Sequence, residues 1–141
     1  MSARDLAAED ARKQTVRTAF EDWAAGRGGP FALLADDARW TIVGNSPVSR
    51  TYESRREFLD VVIDPFNARM SAPLVPTVRG LYADGDWVIA LFDAAATARD
   101  GKPYRNTYTW YLRLDGDAIV EAVAFFDTIE FTDLWYRVTP V

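Results

Sequence analysis

The sequence predicts an α+β fold in which amino-terminal helices pack on a strongly curved, mostly antiparallel sheet. Two observations carry this prediction. The first half has helical periodicity, and the second half contains three Asp-Gly pairs between β-rich segments. With 141 residues and no long repeat, low-complexity tract or linker, residues 1–141 are assigned to one domain.

A long helix is expected first. Residues 5–25 contain neither Pro nor Gly. The helical stripe consists of Val16, Phe20 and Trp23. Gly26 stands where a helix carboxyl-terminal cap is expected, and Pro30 suits the first position of a short second helix over residues 31–35.

A strand and a further helix follow. Trp40 and Ile42 alternate with their neighbours, which predicts the first strand. Ser54 and Glu57 have the spacing of a capping box, so a helix is expected to begin there. Pro65 is expected to interrupt that helix, because proline clashes with the preceding turn.

The second half predicts an antiparallel meander. Asp-Gly is typical of tight β-hairpins, and the pairs are Asp84-Gly85, Asp100-Gly101 and Asp115-Gly116. The expected strands cover residues 74–83, 87–98, 103–114 and 118–127.

Alternation predicts which strand faces meet the helices. The inward set on the third meander strand is Tyr104, Asn106, Tyr108, Trp110, Leu112 and Leu114. On the second it is Trp87, Ile89, Leu91, Asp93 and Ala95, which is apolar apart from one carboxylate. On the last it is Val120, Ala122, Ala124 and Phe126. A bulge would invert any of these faces locally.

These faces predict a small-molecule site. Asp93, Asn106 and Tyr108 would form a polar patch, and burial would raise the pKa of Asp93 toward values useful for acid–base chemistry. The surrounding aromatic wall would be Trp40, Phe58, Trp110 and Phe126. Tyr52 would edge the pocket mouth. Structural alternatives stay open: an exposed Asp93, a purely structural Asn106, and Tyr108 and Trp110 as core. Arg55 and Arg56 are interpreted as a helix surface.

Composition excludes several function classes. The chain has no Cys and no His, which excludes disulfides, thiol nucleophiles, imidazole bases and the usual zinc ligands. The net charge of −5 argues against nucleic-acid binding. No apolar run approaches a membrane span, and the first residues lack a signal sequence, so a cytoplasmic protein is expected. No metal is expected, because without His or Cys only carboxylates remain and the sequence shows no cluster of them. No cofactor is predicted either.

Several segments resemble a known family. They are residues 31–40 (FALLADDARW), residues 104–110 (YRNTYTW), the Asp115-Gly116 turn, residues 119–121 (IVE) and residues 125–128 (FFDT). Together they resemble the SnoaL-like branch of the nuclear-transport-factor-2-like superfamily, which includes ketosteroid isomerases and limonene epoxide hydrolases, over about residues 10–135. The resemblance implies a cone-shaped α+β roll with an apolar cavity. It also implies that the chain forms a homodimer, as members often do, through the outer face of the sheet. The outward side chains of Tyr111, Val123 and Phe125 would suit such an interface.

Neither known catalytic apparatus is complete in this chain. By resemblance to the isomerases, the base falls at Ile42, and an oxyanion acid falls near Asn106. By resemblance to the epoxide hydrolases, one aspartate matches Asp93, whereas the arginine becomes Leu91 and the second aspartate becomes Ala124. These positions are expected to line the ligand site even where the catalytic group is lost.

Three functions follow as hypotheses. The first is a hydrophobic-ligand protein that acts as a cofactor-free isomerase, cyclase or lyase, with Asp93 moving the proton and Asn106 and Tyr108 polarising the substrate oxygen. The second is a non-catalytic carrier of a hydrophobic ligand. The third is a protein-interaction module that uses the outer face.

Overall fold

The structure is a computed structural model and describes residues 4–140. Its elements are α1 (Leu6–Ala24), a 3₁₀-helix (Pro30–Leu33), β1 (Leu34–Ile42), β2 (Thr51–Tyr52), α2 (Arg55–Phe58), a π-helical turn (Leu59–Ile63), α3 (Asp64–Asn67), β3 (Met70–Asp84), β4 (Trp87–Ala98), β5 (Pro103–Asp115), β6 (Ala118–Phe126) and α4 (Thr128–Arg137).

The six strands form one curled sheet in the order β2-β1-β6-β5-β4-β3. Strands β3 to β6 are the predicted antiparallel meander, whereas β1 runs parallel to β6. The sheet is not closed, because β2 and β3 stand at its two edges. The predicted α+β class, with helices packed on a curved and mostly antiparallel sheet, is confirmed.

The first helix forms as its sequence predicts. Asp5 caps it by accepting a 3.0 Å hydrogen bond from the Ala8 N–H. Val16 and Phe20 are buried in the core. Gly26 follows the last turn with a φ of +77°, a conformation that costs glycine little.

Strand β3 begins at Met70, four residues before its expected start, and two helical boundaries also differ from the prediction. Strand β1 begins at Leu34, where a helix had been expected to continue. The helical backbone also passes through Pro65 and ends at Asn67, so the expected interruption is wrong. The π-helical turn directly before the proline is the physical reason, since it changes the hydrogen-bond register of the helix that the proline ring enters.

Helix α4 was not predicted. Its amino-terminal cap is Asp127, whose side chain accepts hydrogen bonds from the Ile129 and Glu130 N–H groups at 3.0 and 3.3 Å. Phe131 and Leu134 are buried on one side of the helix. The signal was present, because an aspartate followed three residues later by glutamate before apolar residues at helical spacing is typical of a helix start.

The predicted inward face of β4 is wrong. The buried residues are Val88, Ala90, Phe92, Ala94, Ala96 and Ala98. Phe92 pairs with Tyr108 and Asp93 pairs with Thr107 in an unbroken antiparallel register. Directly paired residues share a face of the sheet, so Phe92 lies inward with Tyr108, whereas Asp93 and Leu91 lie on the outer face. The outer face of this strand is nearly as apolar as the inner one, so hydrophobicity could not decide between them.

The other two faces agree with the prediction except at one bulge. The whole inward set of β5 is buried. On β6, Ala122 and Ala124 are buried as expected, but Val120 is displaced and Ile119 takes the inward position. The register shifts by one residue at this point, between Leu114–Ile119 and Arg113–Glu121, which is a β-bulge.

None of the helices within residues 4–140 combines the length and the apolar character that a membrane span requires.

Candidate functional site

A cavity of about 540 Å³ lies between the helices and the inner face of the sheet. The predicted cavity is therefore present. Its walls come from every layer of the fold: Trp23, Gly28, Gly29, Phe31, Ala32, Trp40, Ile42, Arg55, Phe58, Val62, Ile63, Phe66, Asn67, Pro73, Leu74, Tyr108, Trp110, Ala124, Phe126 and Phe131.

Aromatic rings form most of the wall and pack on one another. Trp40 and Phe58 are stacked, with ring centroids 4.3 Å apart and planes inclined by 13°. Trp110 meets Trp40 edge-on at 5.0 Å and stacks on Trp23 at 5.8 Å. Edge-on and stacked contacts hold ring orientations in place, so the wall is an ordered surface of aromatic faces and edges.

The cavity reaches the surface beside four exposed lining residues. They are Gly28, Ala32, Asn67 and Pro73. The remaining lining residues are buried or half-buried. A ligand would therefore enter between the 3₁₀-helix, the end of α3 and the start of β3.

Tyr108 is the polar side chain that β5 contributes to the cavity. Its hydroxyl lies 2.7 Å from the Tyr104 hydroxyl, which in turn accepts a 2.8 Å hydrogen bond from the Asn106 amide. When Tyr104 donates to Tyr108, the Tyr108 hydrogen is left for an acceptor in the cavity. Burial raises the pKa of Tyr108 well above 10 and that of Tyr104 to about 12. Both groups are therefore neutral donors at physiological pH.

Asn106 does not line this cavity. Its amide nitrogen donates to Tyr104 and to the Asp127 carbonyl, and its oxygen accepts from the Thr107 and Asp127 N–H groups. All its hydrogen-bonding positions are filled, and they connect β5 to the start of α4. Its role is therefore to orient Tyr104 and to hold the helix start.

Arg55, which the sequence suggested lies on a helix surface, lines the cavity at the start of α2. Its Nε is buried and has no hydrogen-bond partner within residues 4–140. Arg56, the next residue, fits the surface interpretation, with 84% of its side chain exposed and an ion pair to Asp60.

The structure brings most of the predicted ligand residues together. Those in the cavity wall are Trp40, Ile42, Phe58, Trp110, Ala124 and Phe126. That they contact a ligand stays a prediction. Tyr52 is buried but does not line the cavity, because its hydroxyl donates to the Val48 carbonyl at 2.8 Å. Leu91 lies on the outer face of the sheet.

Asp93 is outside the site. Its side chain is 44% exposed, and the carboxylate pairs with Arg79 at 3.0 Å and accepts a 2.6 Å hydrogen bond from the Thr107 hydroxyl. The predicted inward carboxylate is therefore wrong. No Asp or Glu lines the cavity within the described part of the chain, and no cluster of three or more metal-ligating side chains occurs there.

Sequence reasoning missed much of the helical side of the wall. Trp23 was identified as a helix-stripe residue only, and neither Phe31 nor Phe131 was assigned to a site. Phe66 and Phe131 are stacked at 5.8 Å and join α3 to α4 across the cavity. Helical periodicity could have found Phe131 once the Asp127 cap was recognised.

Both the sequence and the fold of this chain are similar to those of known proteins. A family model described as the SnoaL-like domain matches residues 16–122. No curated protein matches the chain.

Solved structures share the architecture at low sequence identity. A nuclear-transport-factor-2-like protein from Burkholderia thailandensis is 23% identical, with 87% of this chain and 95% of that chain covered and a TM-score of 0.71. A candidate SnoaL-like polyketide cyclase from Jannaschia sp. is 15% identical, with 95% and 96% covered and a TM-score of 0.71. IdmH from Streptomyces antibioticus, also a candidate polyketide cyclase, is 20% identical, with 87% and 96% covered and a TM-score of 0.66. At such identities the likeness shows the fold alone.

Proposed function

This chain belongs to the SnoaL-like domain family, and from that premise we propose that it binds a flat, apolar small molecule in its cavity. The observation that carries the proposal is the aromatic cavity of about 540 Å³ with an opening to solvent. Ligand pockets typically have volumes of roughly 300–1,000 Å³ and are mainly apolar with a few polar groups. Here those groups are Arg55 and Tyr108, with the exposed amide of Asn67 at the mouth.

The ring arrangement supports a planar ligand. Trp40, Phe58 and Trp110 hold one another in stacked and edge-on contacts, and a flat molecule could add to this arrangement by the same contacts. Two similar structures are candidate polyketide cyclases, a name that fits ligands with fused rings. The likeness itself shows only the fold, since one fold hosts many sites, and the two names favour the proposed ligand class without identifying a reaction.

Binding can be tested with the neutral dye N-phenyl-1-naphthylamine, which fluoresces in apolar surroundings. We expect a saturable fluorescence increase with one dye per chain. Ala124→Leu, which places extra carbons in the cavity, should weaken dye binding roughly tenfold. Val123→Leu, on the other face of the same strand, is the matched control and should bind normally.

Folding of each variant is checked by circular dichroism and thermal unfolding. Leu74 is half-buried on β3 and lines the cavity, so Leu74→Trp fills it from that strand and replaces Ala124→Leu if that variant does not fold. Absence of saturable binding by the wild type, or full affinity in a folded cavity-filled variant, would overturn the proposal.

A second candidate function is catalysis through Tyr108. When Tyr104 donates to Tyr108, the neutral Tyr108 hydroxyl is free to donate to a ligand oxygen, and such donors stabilise enolate-like charge. In that reaction solvent takes the α-proton of a ketone while the enolate oxygen accepts the Tyr108 hydrogen bond. The mechanism differs from the predicted one, because no carboxylate of residues 4–140 lines the cavity to act as base.

Exchange of the ketone α-proton distinguishes a catalytic protein from a non-catalytic carrier. Proton NMR in D₂O measures deuterium exchange at the α-carbons of 2-tetralone, a flat bicyclic ketone. If Tyr108 acts, the wild type accelerates exchange and Tyr108→Phe loses the acceleration while still binding the dye. Binding of 2-tetralone without any acceleration in the wild type would leave the carrier as the function.

A further inference from the structure

Arg55 stands out among the arginines of the described chain. Most of the others form ion pairs on the surface, and the buried Arg69 donates to three backbone carbonyls. Arg17, Arg99 and Arg105 have no ion pair but are exposed, so water satisfies them. The Arg55 side chain is half-buried, and within residues 4–140 it forms neither a hydrogen bond nor an ion pair.

The local fold does not explain this arginine. The helix start is capped by Ser54, whose hydroxyl accepts a 3.1 Å hydrogen bond from the Glu57 N–H. Arg50 holds the Glu57 carboxylate at 2.6 Å, so this acid is not available to Arg55. A buried guanidinium nitrogen without a partner is costly, and it persists where something else supplies the acceptor.

The groups around Arg55 favour an acceptor that carries a negative charge. Every charged or ionisable group in the described cavity wall is a hydrogen-bond donor at neutral pH, namely Arg55 and Tyr108, and no carboxylate is present to compensate. An apolar wall gives a low effective dielectric constant, which strengthens the attraction between the guanidinium and an anion relative to water.

We propose that Arg55 anchors an anionic oxygen group of the ligand, so that the cavity takes a flat apolar acid rather than a neutral hydrocarbon. A carboxylate would engage the guanidinium through charge-assisted hydrogen bonds, with the orphaned Nε as one of the donors. This inference rests on the proposed binding function and adds the ligand's charge to it.

The test compares 2-naphthoate with 2-naphthamide, which have nearly the same shape and differ in charge. Each competes with N-phenyl-1-naphthylamine for the wild-type protein at pH 8, where the carboxylate is ionised. We expect naphthoate to displace the dye at roughly tenfold lower concentration than naphthamide, as expected for one charge-assisted contact. Equal displacement would overturn the inference, and this comparison needs no variant.

Two variants locate the effect. Arg55→Met removes the charge but retains much of the chain length, and it should abolish the preference for naphthoate over naphthamide, with the dye affinity of the variant measured separately as its own reference. Arg56→Met removes the neighbouring exposed charge and should leave the preference unchanged. A preference that survives Arg55→Met, or that Arg56→Met also removes, would assign it to surface charge and contradict the proposal.

The two proposals fail in different ways. If the neutral dye does not bind the wild type, the binding function itself fails. If the dye binds and both naphthalenes displace it equally, the cavity binds ligands and only the role of Arg55 is wrong.

Discussion

At the scale of single residues, function depends on which polar groups the fold leaves unsatisfied. The buried amide of Asn106 and the hydroxyl of Tyr52 both have protein partners, so neither is free for a ligand. Arg55 is buried at one nitrogen and has no such partner. Residue type alone did not separate these cases, because the partners come from distant parts of the chain.

The ion pair between Asp93 and Arg79 is expected to contribute little to stability and nothing to ligand binding. Because this pair is on the surface, Asp93→Asn should change the free energy of unfolding by less than about 1 kcal/mol and leave dye affinity unchanged. Urea denaturation and dye titration measure the two quantities. Loss of dye affinity in a folded Asp93→Asn protein would return this residue to the site.

The Glu9 carboxylate is expected to make the folding stability of the protein depend on pH. It accepts hydrogen bonds from Arg4 at 2.6 Å and from the Gly85 N–H at 2.7 Å. The Arg4 hydrogen bond first, and the Gly85 N–H second, hold the pKa of Glu9 below its usual value. The contribution to stability is therefore present at neutral pH and is lost as the pH falls through the lowered pKa.

Denaturation of the wild type and Glu9→Gln at several pH values tests this. Between about pH 5 and pH 3, the wild type should lose more stability than the variant, which carries no ionisable group there. Parallel pH profiles would show that the ion pair does not favour folding.

At the scale of elements, helix α4 depends on Arg69, which lies in the turn between α3 and β3. Arg69 is buried, donates to the Trp135 and Val138 carbonyls at 3.2 and 2.9 Å, and lies 3.8 Å from the Trp135 ring. A cation at a helix carboxyl terminus is favourable because it meets the unpaired carbonyls of the last turn. This contact holds α4, and therefore Phe131, against the cavity.

Arg69→Met should therefore destabilise the protein by about 2 kcal/mol, the range of hydrogen bonds from a charged donor. Urea denaturation measures this loss, and near-ultraviolet circular dichroism reports the environment of Trp135. Arg99→Met, an exposed arginine nearby in the fold, is the control and should match the wild type. Equal stability of the two variants would contradict the anchoring role.

The helical elements also show how far local signals reach. The lack of Pro and Gly over residues 5–25 and the glycine at position 26 were sufficient to bound α1. Pro65 predicted an interruption that did not occur, because a π-helical turn directly before it adjusted the helix. That adjustment follows from packing of Val62 and Phe66 into the core and has no sequence motif of its own.

At the scale of the whole molecule, the outer face of the sheet carries apolar side chains that stay exposed within residues 4–140 of the single chain. Phe125, Val75 and Tyr82 are exposed there, and Phe125 packs edge-on against Tyr111 at 5.9 Å. The expected homodimer through Tyr111, Val123 and Phe125 stays a prediction. The apolar character of this face favours a second copy as the occupant.

Sedimentation equilibrium tests the dimer. We expect twice the chain mass for the wild type and a shift toward the monomer for Phe125→Lys, because a charge would be buried in the interface. Ile129→Lys changes an exposed residue of α4 and should leave the dimer intact. A wild type that sediments as a monomer would refute the prediction.

The sequence by itself determined most of the elements and their order, although β2 and α4 were not predicted. The Asp-Gly turns, the helix caps and the alternation along β5 are local, and each depends on a few neighbouring residues and their backbone preferences. The same signals predicted the aromatic wall formed by Trp40, Phe58 and Trp110.

Only the tertiary structure decided which face of β4 meets the helices and which side chains enter the cavity. Both faces of β4 are largely apolar, so its orientation follows from pairing with β5, which places Phe92 beside Tyr108 and turns Asp93 outward. Arg55 and Arg56 are neighbours with the same chemistry, and the packing of their helix sends one to the cavity and the other to solvent. Such choices depend on contacts between distant segments, which no local pattern encodes.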